Sequence, residues 1–282
     1  MKTAMTLQFW GVRGSIPTPG PATVRYGGNT ACISVDLGHG TLLVLDAGTG
    51  IRTLGEYLAA RDTDIFVLLS HAHWDHIQGF PFFAPIYQPH RMISIFPTRM
   101  GHTQWYPPLE QMDGMHFPVT PEDLPAQVHC LMGKGQEVLQ ERDCRLWWIA
   151  TNHPGGSTGY RIEHAGRSVV YLTDNELEPP YEKATSFEEF AEFCRHTDVL
   201  IHDAQYLQSD MPAKHGWGHS LVSQACELAV AAEVKHLILF HHDPGRTDDS
   251  LDAIQEETRA WMHTRNQHLQ CTAAYEGLVV DI

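Results

Sequence analysis

Ser70-His71-Ala72-His73-Trp74-Asp75-His76 follows directly on the apolar run Ile65-Phe66-Val67-Leu68-Leu69. An uninterrupted β-branched and aliphatic run of this length reads as a buried strand, so whatever follows it is held at the end of a rigid support. Four lone-pair donors, His71, His73, Asp75 and His76, fall within six residues there. Left unpaired and crowded, such groups are costly to bury. Imidazole nitrogen and carboxylate oxygen are, however, good ligands for zinc and similar divalent metals. In an extended turn, His71 and His73 can aim both rings at one ion. Asp75 and His76, offset on the following turn or helix start, can serve a second.

Other apolar runs end the same way. Leu146-Trp147-Trp148-Ile149 leads through Ala150-Thr151-Asn152 to His153, Val169-Val170-Tyr171-Leu172 to Thr173-Asp174, Val199-Leu200-Ile201 to His202-Asp203, and Leu237-Ile238-Leu239-Phe240 to His241-His242-Asp243. Ligands of open α/β sheets gather at the carboxyl ends of strands. His153, Asp174 and His241 supply what the first cluster lacks: a third ligand for one ion, a carboxylate able to bridge, and a further His for the other.

Strands are expected at 32–37, 42–46, 65–70, 92–96, 146–150, 168–173, 199–202 and 237–240, and helices at 186–195, where Ser186-Phe187-Glu188-Glu189 suggests a capping box, 220–232 and 249–263. The interleaving points to an α/β layered fold. Residues 81–135, rich in Pro, Met and aromatics, read as an irregular excursion from a single domain spanning 1–282, suited to a pocket wall or a homodimer contact.

The chain has 282 residues, 43% hydrophobic and 19% charged, which is a globular composition with ample chain for a core. Its net charge of −15 argues against a broad basic surface for polynucleotides or anionic membranes. Six scattered Cys with no C-x-x-C pair suit reduced thiols better than a disulfide framework. Residues 1–10 carry no signal-peptide pattern, and no apolar run approaches the roughly 20 residues that span a bilayer. A cytoplasmic protein with no membrane partner is expected. The 19 His, as many as all Lys and Arg together, are the compositional oddity.

The His71-x-His73-x-Asp75-His76 motif with His153, Asp174 and His241 resembles the metallo-β-lactamase superfamily over nearly the whole chain. Its ribonuclease Z and phosphodiesterase branch is similar in further segments: His153-Pro154-Gly155-Gly156 leading into Gly159-Tyr160-Arg161-Ile162, Val199-Leu200-Ile201-His202-Asp203-Ala204, Gly218-His219-Ser220, and the openings Gly11-Val12-Arg13-Gly14-Ser15, Tyr26-Gly27-Gly28-Asn29-Thr30 and Asp46-Ala47-Gly48-Thr49-Gly50. The resemblance implies a four-layer αββα sandwich with a dinuclear site. His71, His73 and His153 would hold one ion, Asp75, His76 and His241 the other, and Asp174 would bridge. His242 rivals His241, which is preferred for its place directly after the strand. Asp46 would orient the metal-binding loop. Two divalent ions per chain are expected, Zn²⁺ first, with Mn²⁺ or Fe²⁺ as alternatives.

The implied activity is hydrolysis of a small anionic phosphodiester, such as a cyclic nucleotide or cyclic ribose phosphate, by a hydroxide bridging the ions. Asp75, Asp203 and His219 are the expected catalytic residues, with His219, held by Asp203, as proton donor. Arg13 is a candidate for reaching the phosphate. Trp74, Phe80, Phe82, Phe83 and Tyr87 read either as stacking groups or as core, and His202 either as support for the site or as an outward-facing strand residue. Only 20 residues separate His153 from Asp174, and no Lys-rich arm for clamping tRNA is evident, so an RNA-processing nuclease is an alternative only. A thioesterase or lactonase of the same fold and a non-catalytic metal-binding module are the others.

Overall fold

Along the strand before the His-rich motif, side chains alternate between two cores. Phe66 and Leu68 enter one apolar cluster, and Ile65 and Val67 another. Period-2 alternation with both faces covered explains why these strands read as continuous apolar runs. The structure is a computed structural model that describes residues 4–96, 98–100, 103–105, 107–131, 135–265 and 269–282.

In chain order the strands are β1 (Thr6–Gly11), β2 (Cys32–Asp36), β3 (Thr41–Leu45), β4 (Asp64–Leu68), β5 (Met92–Ile95), β6 (Thr98–Met100), β7 (Thr103–Trp105), β8 (Gln127–Cys130), β9 (Cys144–Thr151), β10 (Ser157–His164), β11 (Arg167–Leu172), β12 (Val199–Asp203), β13 (His236–Phe240), β14 (Gln270–Ala273) and β15 (Val279–Asp281). The helices are α1 (Ile51–Leu58), α2 (Trp74–Ile77), α3 (Pro107–Glu110), α4 (Gly135–Gln140), α5 (Phe187–Cys194), α6 (Val222–Ala231) and α7 (Asp248–Arg265).

One sheet has the order β15-β1-β2-β3-β4-β5-β8, the other β14-β13-β12-β11-β10-β9. Leu7, Phe9, Ile33, Leu45 and Leu68 of the first meet Ile162, Tyr171, Ile201, Ile238 and Phe240 of the second in a shared core. Ile51, Leu54 and Leu58 of α1 cover the outer face of the first sheet through Val44, Val67 and Ile95. Phe190 of α5, Leu228 of α6 and Leu251 of α7 cover the outer face of the second through Leu172, Leu200 and Leu239. The expected αββα sandwich is therefore present.

This topology brings the strand ends together. β3 and β4 are parallel. β11, β12 and β13 are parallel to one another, and β9 shares their direction because β10 is antiparallel to both β9 and β11. Asp46, His71, His153, Asp174, Asp203 and His241 thus all follow or end strands whose carboxyl ends share an edge.

Two expected boundaries move by a residue or two for a local reason. β4 stops at Leu68, and the Ser70 amide is taken instead by Asp46 Oδ1 at 2.6 Å. The helix expected from residue 220 begins at Val222, because the Ser220 hydroxyl donates to the Asn175 carbonyl at 2.6 Å. Within 81–135, Met92–Ile95 and Gln127–Cys130 pair in parallel at the edge of the main sheet, and short 3₁₀ turns lie at Phe80–Phe82, Ala84–Tyr87 and Pro121–Asp123. Among the described residues, no helix is long and apolar enough to cross a membrane.

Phe9 is fully buried with its ring centroid 6.1 Å from that of Phe240, which in turn lies 5.7 Å from that of Tyr171. Truncating Phe9 opens a cavity between the sheets. Phe9→Ala is expected to lower unfolding free energy by about 3–5 kcal/mol in denaturant titration, whereas Val24→Ala on the surface should change it by about 0.5 kcal/mol or less.

Candidate functional site

The left-handed backbone conformation recurs where these strands break off: Asp46 has φ 60°, Asp174 48° and His241 60°. Non-glycine residues rarely adopt it, and surrounding contacts must hold them there. Each conformer turns a side chain back over the sheet edge as the ladder ends. Asp46 then accepts four hydrogen bonds while fully buried. Its donors are the Ser70 amide, the Ser70 hydroxyl at 2.8 Å, the Tyr171 hydroxyl at 2.7 Å and His76 Nδ1 at 2.8 Å.

Anchoring one ring nitrogen while the other faces the cleft is the rule for most of these histidines. His76 Nδ1 is fixed by Asp46, His153 Nδ1 by the Gly218 carbonyl at 2.9 Å, and His241 Nδ1 by Gln205 Oε1 at 2.8 Å. His71 Nδ1 lies 3.0 Å from the Ser70 hydroxyl, while its buried Nε2 has no hydrogen-bond partner. A buried, orphaned nitrogen aimed among other donors is what a metal ligand presents before the ion is considered.

The donor atoms form overlapping groups around Asp174. His71, His73, His153 and Asp174 offer atoms within 4.8 Å of one another, as do Asp75, His76 and His241, and so do Asp174, His219 and His241. Asp174 Oδ1 lies 3.7 Å from both His71 Nε2 and His153 Nε2, while Oδ2 lies 3.1 Å from His76 Nε2 and 3.2 Å from His241 Nε2. Within the second group the separations are 3.3 Å from Asp75 to His76, 3.2 Å from Asp75 to His241 and 3.3 Å from His76 to His241. In the first, His73 Nδ1 is 3.1 Å from His153 Nε2. A tetrahedron with arms of about 2.0–2.1 Å has edges of about 3.3 Å, so these spacings fit ligands of zinc-sized ions. The residues present fit two divalent ions, with one Asp174 oxygen facing each group of side chains.

The electrostatics agree. Burial pushes the His71, His73 and His153 imidazoles below their ordinary value, so these rings are neutral. For His76, burial is outweighed by Asp75, Asp174 and Asp46, which raise it well above the ordinary value. Burial would likewise raise Asp75 and Asp174, but facing imidazoles hold both carboxyls below the usual range.

Beside this cluster His219 Nδ1 meets Asp203 Oδ2 at 2.7 Å, and its ring stacks on His241 with centroids 5.1 Å apart. His219 is almost fully buried, which opposes its charge, yet Asp203, with Asp174 and Asp75 behind it, raises it to about 9. A cleft of about 430 Å³, lined by Ser15, His73, Trp74, Asp75, Asp174, His219 and His241, opens above.

Other candidates fall elsewhere. His242 turns away from the cluster, with Nε2 2.8 Å from the Ala274 carbonyl and a pKa that burial lowers to about 3. Arg13, expected to reach a phosphate, is fully buried and donates from Nε to the Gly27 carbonyl and from Nη1 to that of Arg246, both at 2.8 Å. It ties the N-terminal turn to the segment after His241 and has no exposed surface to offer a substrate. His202 does not face outward: it is buried, with Nδ1 2.6 Å from the Asp203 carbonyl and Nε2 3.2 Å from Asn175. Phe80 and Phe83 are core, whereas Trp74 is exposed at the cleft.

Several supporting groups escape a sequence reading. The Ser15 amide donates to Asp75 Oδ2 at 2.7 Å. Gly14 lets that turn pass close by, since a Cβ there would lie 2.4 Å from His241 Nδ1. Glu176 is buried and accepts the amides of Gly216 and Gly218, both at 2.8 Å, fixing the turn whose Gly218 carbonyl orients His153. Gly218 itself has φ +89° and leaves no room for a Cβ, which would sit 2.2 Å from His153 Nδ1. Motifs advertise ligands; a lone Glu or Ser amide carries no such signal.

A family model described as a beta-lactamase superfamily domain matches residues 41–242. The ribonuclease Z of Thermoplasma volcanium is 40% identical over 85 residues, a match covering 30% of this chain and 25% of that protein. The chain therefore spans about a quarter of the first curated relative it matches. Among solved structures, the metallo-beta-lactamase fold protein YhfI from Bacillus subtilis is similar with a TM-score of 0.69 at 20% identity, covering 99% of each chain. A diphosphatase from the PhnP family is similar with a TM-score of 0.65 at 19% identity, covering 99% of this chain and 98% of the other.

Two outcomes follow from the geometry. Elemental analysis should find two divalent ions per chain, reduced by at least one in Asp174→Ala and His241→Ala but unchanged in His242→Ala. Because His76 holds a proton that an ion must displace, metal binding near pH 7 should release protons and tighten as pH rises. Calorimetry in buffers of different ionisation enthalpy would expose the opposite result as buffer-independent heats.

Proposed function

The chain belongs to the beta-lactamase superfamily, and from that premise we propose that it is a metal-dependent hydrolase of a small phosphodiester. The observation that carries this reading is His219, locked to Asp203 at 2.7 Å and set over the edge of the ligand cluster, 4.0 Å from Asp174. His71, His73 and His153 would hold one ion, Asp75, His76 and His241 the other, with Asp174 between. Such a pair of ions lowers the pKa of a water from about 15.7 toward 7 and neutralises charge on phosphoryl oxygens.

The chain's own residues supply the rest. Asp75, fixed by the Ser15 amide, keeps its carboxylate turned toward His76 and His241. Asp203 fixes the His219 ring through Nδ1, which leaves Nε2 as the atom that delivers a proton to the departing alkoxide. The raised pKa of about 9 belongs to the chain alone. Positive charge added at the cluster brings it toward neutrality, where a proton donor is most effective. A thioester gives a proton donor less to do, since thiolates leave more readily than alkoxides. This favours the phosphodiester over the thioester.

Relatives named ribonuclease Z make RNA the rival substrate. The net charge of −15 favours a small diester over a polynucleotide. Zn²⁺ is the metal proposed, with Mn²⁺ or Fe²⁺ as substitutes that suit the same donors.

Metal-loaded chain should hydrolyse bis(p-nitrophenyl) phosphate, lose that activity on chelation and regain it with Zn²⁺ or Mn²⁺. On a diester whose leaving group is an unactivated alkoxide, such as a cyclic nucleotide, His219→Ala should lower kcat by about 10²–10⁴-fold with metal content retained. Loss of an ion from His219→Ala would reassign the residue as a ligand, and faster turnover of thioesters than of any diester would overturn the substrate class.

A further inference from the structure

A groove of about 450 Å³ opens beside the ligand cluster and shares His153 with it. Trp148 and Tyr181, 51% and 38% exposed, both line it. Trp148 lies on β9, on the face that buries Cys144 and Leu146 farther back, so its ring continues the inner face of the sandwich past the end of the core. The Tyr181 hydroxyl donates to the Asn152 carbonyl at 3.3 Å, which ties the second ring to the segment carrying His153. Burial, with Glu176 nearby, pushes that phenol up to about 12, so the wall is neutral at working pH.

The polar content of the groove is sparse and specific. The Ser157 hydroxyl lines it, is buried, and has no hydrogen-bond partner. A buried hydroxyl without a partner is costly and marks a place where a ligand group can bond. Among the described residues, Glu182 is the sole acidic side chain that lines the groove, and no Lys or Arg lines it. A second phosphate would therefore meet a carboxylate and no cation among them. A flat, uncharged ring bearing N–H groups would meet two aromatic walls, a free hydroxyl and an acceptor.

We propose that this groove holds a nucleobase, which makes the substrate a nucleotide diester and not a bare sugar phosphate. The assignment rests on the phosphodiesterase reading above. The scissile phosphate would lie at the ligand cluster while the base reaches past His153 to lie against Trp148 and Tyr181. Base–aromatic stacking is sequence-tolerant, so the groove selects for a base without reading which one.

The test compares ligands that differ only in the base. Binding of AMP, UMP and ribose 5-phosphate to the zinc-loaded full chain is measured by calorimetry. Both nucleotides should bind at least about 10-fold more tightly than ribose 5-phosphate, the scale expected from stacking on an aromatic side chain. Trp148→Ala and Tyr181→Ala should each remove most of that advantage while leaving ribose 5-phosphate affinity and zinc content unchanged, and Trp148→Phe should restore it. Equal binding of all three ligands, or nucleotide affinities untouched by both alanine variants, overturns the groove assignment alone. Binding of none of them overturns it together with the phosphodiester reading.

Discussion

The two oxygens of Asp174 organise the site. One faces His71 and His153, the other His76 and His241, from a carboxylate that is buried and set in the left-handed backbone region. Groups from the ends of both sheets converge on this one side chain, and the order of strands in the sandwich is what allows it. Because β9, β11, β12 and β13 run the same way, His153, Asp174, Asp203 and His241 appear together at one edge. An antiparallel sheet of the same sequence segments would send alternate groups to opposite ends.

Holding a strained, charged turn in a dry place requires compensation, and it comes in layers. Thr173 donates to Asp174 Oδ2 at 2.6 Å, and the Thr151 hydroxyl donates to the Asp174 carbonyl at 2.8 Å. Asp46 and Glu176 do the same for neighbouring elements, each a buried carboxylate spent on hydroxyls, amides or a ring nitrogen. Side chains fixed this firmly leave little for a bound ion to reorganise, which is the condition for tight binding and for a well-aimed proton donor.

Much of this was legible in the sequence because strand ends leave a local signature. A buried strand reads as an apolar run, and a ligand directly after it stands out against that run, as at His71, Asp174 and His241. The capping box at Ser186 and Glu189 was equally local, and both of its hydrogen bonds form. What stayed hidden depends on pairing across long separations. Arg13 looked like a free cation in a glycine-flanked turn, and only the fold shows Gly27 and Arg246 carbonyls closing on it. α1 has the apolar spacing Ile51, Leu54, Leu58, but it follows a loop whose glycines drew attention to chemistry instead. β8 and β14 are short strands whose place is set by the neighbours they pair with, not by their own pattern.

The acidic balance also changes meaning once the chain is folded. Asp46, Asp75, Asp174, Glu176 and Asp203 all contribute to the net charge of −15, yet all five are buried in or beside the site. Their charge is met locally by imidazoles, amides and the ions the cluster fits, so it projects little field from the surface. The exterior is thus less acidic than composition alone implies but still net negative, so charge continues to favour a small ligand over a polynucleotide. The lining of the groove points the same way. The aromatic groove shares His153 with the ligand cluster, and among the described residues no Lys or Arg lines the groove to follow a phosphate backbone outward. An electrostatic track of that kind is what nucleic-acid channels depend on.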